Sequence, residues 1–228
     1  MTSGLLDGLP AKKENIVKVM TFGEIMIRFK TRGTERFFQS PIFEATFGGG
    51  EANVAVSLAN FGLDSSFMTI LPENELGDAC LGELRRFNVD ISSVVRRNGR
   101  IGTYYLAGGA NQYPSKVIYD REFSSISTMD PSGIIWEEVL KGKSWFHISG
   151  ITPAISENAR IMSIDAVRKC KDMGIKVSVD LNFRKNLWKY GRTALEVMPE
   201  ILSFADVAIA NEEDVQKEDE TYPITAQN

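Results

Sequence analysis

From about residue 143 onward the chain alternates between two hydrophobic rhythms. WFHIS (145–149) has the period of a short strand and puts Trp145, His147 and Ser149 on one face. SGITPAIS (149–156) reads as a loop. Ser156 then stands where it can cap a helix whose apolar positions Ala159, Met162, Ala166, Cys170 and Met173 recur at helical spacing. Gly174 is placed to end that helix. IKVSVDLNF (175–183), rich in β-branched residues, is a second strand, and an amphipathic segment follows near 191–203. ADVAIAN (205–211) closes the series as a short, nearly all-apolar strand. Strands and helices at this spacing imply right-handed crossovers and a parallel sheet covered on both faces, an α/β fold.

The front half follows the same logic with interruptions. IVKVMTFGE (16–24) is a buried-strand pattern, a helix runs from Glu51 to Phe61 and stops at Gly62, and SSFMTIL (65–71) is a further strand. ELGDACLGELRRF (75–87) puts Leu76, Cys80, Leu84 and Phe87 on one helical face. Residues 25–47 and 100–121 break the alternation and read as strands joined by glycine and proline turns. The economical arrangement pairs them as one small β-sheet projecting from the main domain. One face of such a sheet is uncovered, which suits a lid, a dimer contact or both. The expected organisation is a loose tail over 1–15, one α/β domain over 16–215 and a polar tail over 216–228.

Composition narrows the class. At 228 residues and 43% hydrophobic content there is enough chain for one substantial core. The net charge of −4 argues against a nucleic-acid or membrane surface, since both call for a basic face. No apolar run approaches the roughly 20 residues needed to cross a bilayer, and the first fifteen residues lack the apolar stretch of a signal peptide. The expected location is cytoplasmic. Cys80, Cys170 and His147 lack the spacing of a zinc site. His147, the only histidine, is read as a packed strand residue before it is read as a base.

In open parallel sheets ligands bind beyond the carboxyl ends of the strands. Those ends carry Gly23-Glu24, Ser149-Gly150, the run from Asp180 to Arg184, and the run from Asn211 to Asp214. The stretch FGGGEAN (47–53) matches neither GxGxxG nor the phosphate-binding loop with its lysine. Its glycines either admit a ligand to bare backbone or only permit tight helix–sheet packing. Glu51 in the first helical turn is expected to repel phosphate, which leaves uncharged oxygens as the partners of Gly49, Gly50 and Asn53. Arg184 is either a carboxylate or phosphate fork or a surface arginine. Tyr104, Tyr105, Tyr119 and Arg121 fall in the small sheet, with Tyr119 and Arg121 on one face by alternation.

Six stretches now combine: GGGEANVAVSLANFG, ENELGDACLGELRRFNVDIS, KVIYDREFSS, WFHISGITPAIS, VSVDLNFRKNLW and ADVAIANEED. Together they resemble the ribokinase-like (PfkB) family of carbohydrate kinases, and within it the kinases of 2-keto-3-deoxygluconate. The resemblance implies a ribokinase-like, Rossmann-like sheet with a β lid, transferring the γ-phosphoryl group of ATP, with Mg2+, to a sugar hydroxyl. It implies Gly49, Gly50, Asn53, Tyr104, Tyr119, Arg121 and Arg184 at the sugar acid. Asn182, Arg184 and Asn211 fall on the nucleotide side, no residue is a direct metal ligand, and a homodimer forms through the lids.

Two departures accompany the likeness. Asp214 takes the last place of the family's Asn-x-x-Glu motif. The Gly-Ala-Gly-Asp motif that carries the catalytic base is absent, so the base is expected beyond residue 228 and the fold is expected to be cut short at its C-terminus. The alternatives are a non-catalytic sugar-acid-binding module, or a kinase of the same family for fructose or ribose.

Overall fold

The computed structural model describes residues 17–184, 186–211 and 214; the tails expected over 1–15 and 216–228 lie outside them. Along the chain β1 (Lys18–Phe22) is followed by β2 (Met26–Thr31), β3 (Phe43–Gly48), α1 (Gly50–Asn60), β4 (Asp64–Met68), β5 (Ile70–Pro72) and α2 (Glu75–Arg86). Next come β6 (Val95–Arg97), β7 (Thr103–Ala107), β8 (Lys116–Asp120) and the short α3 (Trp136–Val139). The series ends with β9 (Trp145–Ser149), the short α4 (Ile151–Ala154), α5 (Glu157–Asp172), β10 (Lys176–Asp180), α6 (Ala194–Leu202) and β11 (Val207–Ile209).

The main sheet has five strands in the order β11-β10-β9-β1-β4, with every pairing parallel. Alternation along the strands splits the core in two. Met20, Phe22, Phe146, Ile148, Val177 and Val179 pack with the buried stripe of α5, which includes Ala159, Met162, Ala166 and Cys170. A second cluster joins Phe67 and Leu71 to Ala52 and Ala55 of α1 and to Cys80, Leu81 and Leu84 of α2. Ser156 caps α5 as the sequence predicts, accepting the Ala159 amide at 3.1 Å, and Gly174 follows the helix in the left-handed region. Trp145 and His147 share a face, since Trp145 Nε1 donates to Ser178 Oγ at 2.8 Å and His147 Nδ1 lies 2.9 Å from the same oxygen.

Residues 25–47 and 100–121 pair into one four-stranded sheet in the order β3-β2-β7-β8. β2 runs antiparallel to β3 and parallel to β7, and β7 runs antiparallel to β8. No helix among the described residues is long and apolar enough to cross a membrane.

Four sequence expectations are corrected. SSFMTIL is two strands: β1 ends at Phe22, opposite Met68, so β4 loses its neighbour there. The chain then re-pairs as β5 with β6, beginning with the Val95 amide on the Thr69 carbonyl. SGITPAIS contains the helical turn α4; Pro153 is tolerated because amides of a first turn have no helical partner. Leu76 is half exposed and α2 buries Gly77, Cys80, Leu81 and Leu84 instead. The Asn74 cap, accepting from Leu76 N and Gly77 N, fixes the helix phase that turns Gly77 onto the Pro72 carbonyl. Met173 caps α5 and is partly exposed, past the last buried turn.

Candidate sugar-kinase site

The strand ends that the sequence singles out are packed backbone to backbone. A Cβ at Gly49 would lie 2.1 Å from the Glu24 carbonyl oxygen, so this glycine is demanded by the approach of the helix to the chain leaving β1. Gly48 is different: its missing side chain makes room for the Tyr104 hydroxyl, which would be 2.7 Å from a Cβ. Gly50, which is exposed, would meet nothing closer than Ser149 Oγ at 4.0 Å. Of the three, Gly50 is the one that leaves backbone open, while tight packing accounts for Gly49.

Glu51 does not act as the sequence reading expects. Its carboxylate is buried, and Oε1 accepts from Ser149 N at 3.0 Å, Ser149 Oγ at 2.6 Å and Thr152 Oγ1 at 2.7 Å. The charge therefore ties α1 to the turn after β9 instead of facing an incoming phosphate. Gly23 provides the space, since a Cβ there would sit 2.3 Å from the same carboxylate. The sequence signal for this was available in Ser149 and Thr152, two hydroxyls placed to answer a buried acid.

The small sheet presents a polar row. Register places Thr46, Arg28, Tyr104 and Tyr119 opposite one another across its four strands, hence on one face. Arg28 Nε donates to Thr46 Oγ1 at 2.9 Å, and the rings of Tyr104 and Tyr119 lie 5.8 Å apart. Burial pushes the Tyr104 hydroxyl above its usual pKa, against the pull of the Arg28 charge. Arg121 follows the strand, its guanidinium carbon 5.8 Å from the Tyr119 ring centre. It is buried, and its Nε donates to Glu24 Oε2 at 2.7 Å. Glu24 Oε1, also buried, has no hydrogen-bond partner among the described residues.

These contacts run in one chain: Gly49 to Glu24, Glu24 to Arg121, Arg121 to Tyr119, Tyr119 to Tyr104, and Tyr104 back to Gly48. The structure thus brings Gly48, Gly49, Tyr104, Tyr119 and Arg121 together with Glu24, one of the strand-end residues named from the sequence, and adds Arg28. Arg28 escaped the sequence reading because MIRFKT shows only alternation, and cross-strand register is needed to put its arginine beside Tyr104. Asn53 is exposed on α1, where it lines a cleft of about 400 Å3 together with Arg28, Thr46, Gly48 and Ser57.

Arg184, Asn182 and Asn211 sit at the ends of β10 and β11. Arg184 is exposed, with Nη1 donating to the Phe183 carbonyl at 2.9 Å. Asn182 adopts a left-handed backbone, φ 37°. Asp214 is buried, accepting the amides of Phe183 at 2.9 Å and Asn211 at 3.0 Å, while Asn211 Oδ1 accepts the Asp214 amide. The shorter acid in the motif thus clasps the two loops together. Glu212 and Glu213 lie outside the described residues. No hydrogen bond or ion pair among the described residues joins Arg184 to the small sheet.

Asp180 is half-buried, and that burial, with like charge from Asp214 and Glu51, lifts its carboxyl above the usual range while His147 opposes the shift. Burial lowers His147, with Glu51 and Asp180 pulling the other way. Cys80 and Cys170 are free and lie in separate core clusters; burial pushes both thiols up to about 12, which makes them inert packing residues. Among the described residues no cluster of three or more histidine, cysteine, aspartate or glutamate side chains is arranged to hold a metal.

The parallel sheet with its small projecting sheet has counterparts among known proteins. Residues 17–218 match the model of the pfkB family carbohydrate kinases, and the chain belongs to this family. It is 47% identical to the crystal structure of 2-dehydro-3-deoxygluconokinase from Thermotoga maritima, with a TM-score of 0.82 over 86% of this chain and 60% of that one. It is 31% identical to 2-dehydro-3-deoxygalactonokinase of Haloferax volcanii over 87% of this chain and 62% of the relative. A probable chloroplastic fructokinase of Arabidopsis thaliana is 28% identical over 86% of this chain and 51% of its own length. The chain spans about three-fifths of the length of the first two relatives and half of the third.

Proposed function

We propose that the protein carrying this chain is an ATP- and Mg2+-dependent kinase that converts 2-keto-3-deoxygluconate to its 6-phosphate. The observation that carries this reading is the 47% identity, maintained through 86% of the chain, to a kinase named for that substrate. The polar row supports it, since arginine and tyrosine hydroxyls on one sheet face suit a polyhydroxy carboxylate. In this reading Gly50 and Asn53 meet the sugar from below, and Tyr104, Tyr119 and Arg121 meet it from the small sheet. Gly49 sets the backbone that lets them approach. The small sheet acts as the lid, and excluding water there limits loss of ATP to hydrolysis.

Phosphoryl transfer asks for positioning and charge neutralisation. Arg184 would serve the travelling phosphoryl group, with Asn182 and Asn211 on the nucleotide side. The residues described here build no all-protein metal cage, because Asp214 is spent on backbone amides; Mg2+ would arrive on the nucleotide phosphates. None of the described residues is assigned to accept the hydroxyl proton.

The apolar face of the small sheet favours a homodimer through the lids. Ala45, Phe29, Tyr105 and Ile118 form a row opposite the polar one, beside a largely exposed Phe38. A cytoplasmic location fits a kinase drawing on ATP. The fructokinase relative sustains a second reading in which the sugar is neutral. ADP release with 2-keto-3-deoxygluconate, fructose and ribose as separate acceptors tests the assignment. The sugar acid is expected to give the highest kcat/KM, and a preference for either neutral sugar would replace it.

A further inference from the structure

We propose that Glu24 is a positioning residue for the sugar: it holds the Arg121 guanidinium in the orientation that meets the ligand and sets its distance from the start of α1. This rests on the kinase reading above, in which Arg121 meets the sugar. Glu24 is 4% exposed and Arg121 8%, and Arg121 Nε donates to Glu24 Oε2 at 2.7 Å. Arg121 Nη2 stands in ion-pair contact with the same oxygen. Two of the three guanidinium nitrogens thus face Glu24. Nη1, which enters no hydrogen bond or ion pair among the described residues, is left for a ligand acceptor. Arg100 also feels the Glu24 charge but is held by Asp120 at 2.8 Å.

The surroundings keep the pair in one place. Gly102 leaves the room it occupies, since a Cβ there would lie 2.8 Å from Glu24 Oε1 and 3.3 Å from Arg121 Cβ. The Gly102 carbonyl accepts the Ile27 amide at 3.0 Å, which ties this glycine to the chain just past Glu24. The Tyr119 ring lies beside the guanidinium, its centre 5.8 Å from the central carbon. Glu24 is fixed from its backbone as well, because its carbonyl oxygen would be 2.1 Å from a Cβ at Gly49. One residue therefore holds both walls of the proposed site, α1 through its backbone and Arg121 through its carboxylate. A buried ion pair adds little stability over a packed apolar pair, because desolvation offsets most of the attraction. Glu24 Oε1, buried without a hydrogen-bond partner among the described residues, adds to that cost. An arrangement this poor as a fastener is explained by the orientation it imposes on Arg121.

Steady-state kinetics on the protein carrying this chain, with 2-keto-3-deoxygluconate and ATP varied separately and thermal midpoints recorded alongside, tests the assignment. Glu24→Gln keeps the shape of the side chain and removes the charge that holds the guanidinium. KM for the sugar acid is expected to rise at least about 10-fold, the lower end for a charged hydrogen bond, while kcat and KM for ATP move far less. Because Glu24 acts through Arg121, adding Glu24→Gln to Arg121→Met is expected to leave KM for the sugar acid at the value of Arg121→Met alone. Gly102→Ala, which keeps both charges and crowds Glu24 Oε1, should reproduce the rise in KM, and it carries the test if Glu24→Gln folds poorly. A lowered thermal midpoint with KM for the sugar acid unaltered overturns the inference and leaves the pair a fastener between the sheets. An equal rise in KM with and without Arg121 overturns it too, and both results leave the kinase reading intact. Absence of turnover of the sugar acid by the unmodified protein removes the kinase reading for this substrate, and the inference with it.

Discussion

A side chain at Gly49 would press on the Glu24 carbonyl at 2.1 Å, whereas one at Gly50 would reach only ordinary contact with Ser149. Gly49→Ala is therefore expected to lower stability by about 3 kcal/mol, as overpacking against backbone does, seen as a lower urea midpoint. Gly50→Ala should leave the midpoint nearly unchanged and weaken sugar binding. The reverse pattern would return the ligand role to Gly49. The one histidine allows a clean pH test. Burial lowers His147 below its ordinary value of 6.5, so the folded state binds its proton less readily than the unfolded chain. Stability from this residue is present above about pH 6.5 and is lost as the pH falls through the lowered value. Thermal midpoints recorded from pH 8 to 5 should fall more steeply for the unmodified protein than for His147→Gln. Parallel curves would contradict the assignment.

Between elements, the buried pair of Glu24 and Arg121 bridges the end of β1 to the end of β8 and so connects the two sheets. Removing one partner strands the other charge in the interior, and Arg121→Ala is expected to cost about 3–5 kcal/mol. Amide exchange in β7 and β8 should quicken more than in β9 and β10; uniform quickening would show that the pair merely adds stability. The parallel series was legible because its strands are apolar runs with clear helix caps such as Ser156 between them. The small sheet was legible as two interruptions of that rhythm. The break in SSFMTIL was not, because where β4 stops depends on where its neighbour β1 stops. Glu51 was misread for a related reason: a first-turn acid looks solvent-facing until Ser149 and Thr152, about a hundred positions away, are seen to close over it. Gly49, Gly50, Asn53, Tyr104, Tyr119, Arg121 and Arg184 could be named from motif likeness and Glu24 as a strand end, but the pairing of Glu24 with Arg121 could not.

The whole molecule joins a five-stranded parallel sheet, helices on both faces and a two-faced small sheet over one set of strand ends. At the outer edge of the main sheet β11 exposes Val207 and Ile209 at 42% and 50%. An apolar strand edge of this kind invites pairing with another chain. The 228-residue chain alone is expected to self-associate in sedimentation, and Val207→Lys with Ile209→Lys should reduce this; an unchanged monomer in both would remove the edge as the cause. The most direct test of the account is a crystal structure of the protein carrying this chain with 2-keto-3-deoxygluconate bound. The account predicts the sugar acid between the start of α1 and the row of Thr46, Arg28, Tyr104 and Tyr119, its carboxylate toward the small sheet. Density for the acid on the opposite, apolar face, or away from both sheets, would contradict it.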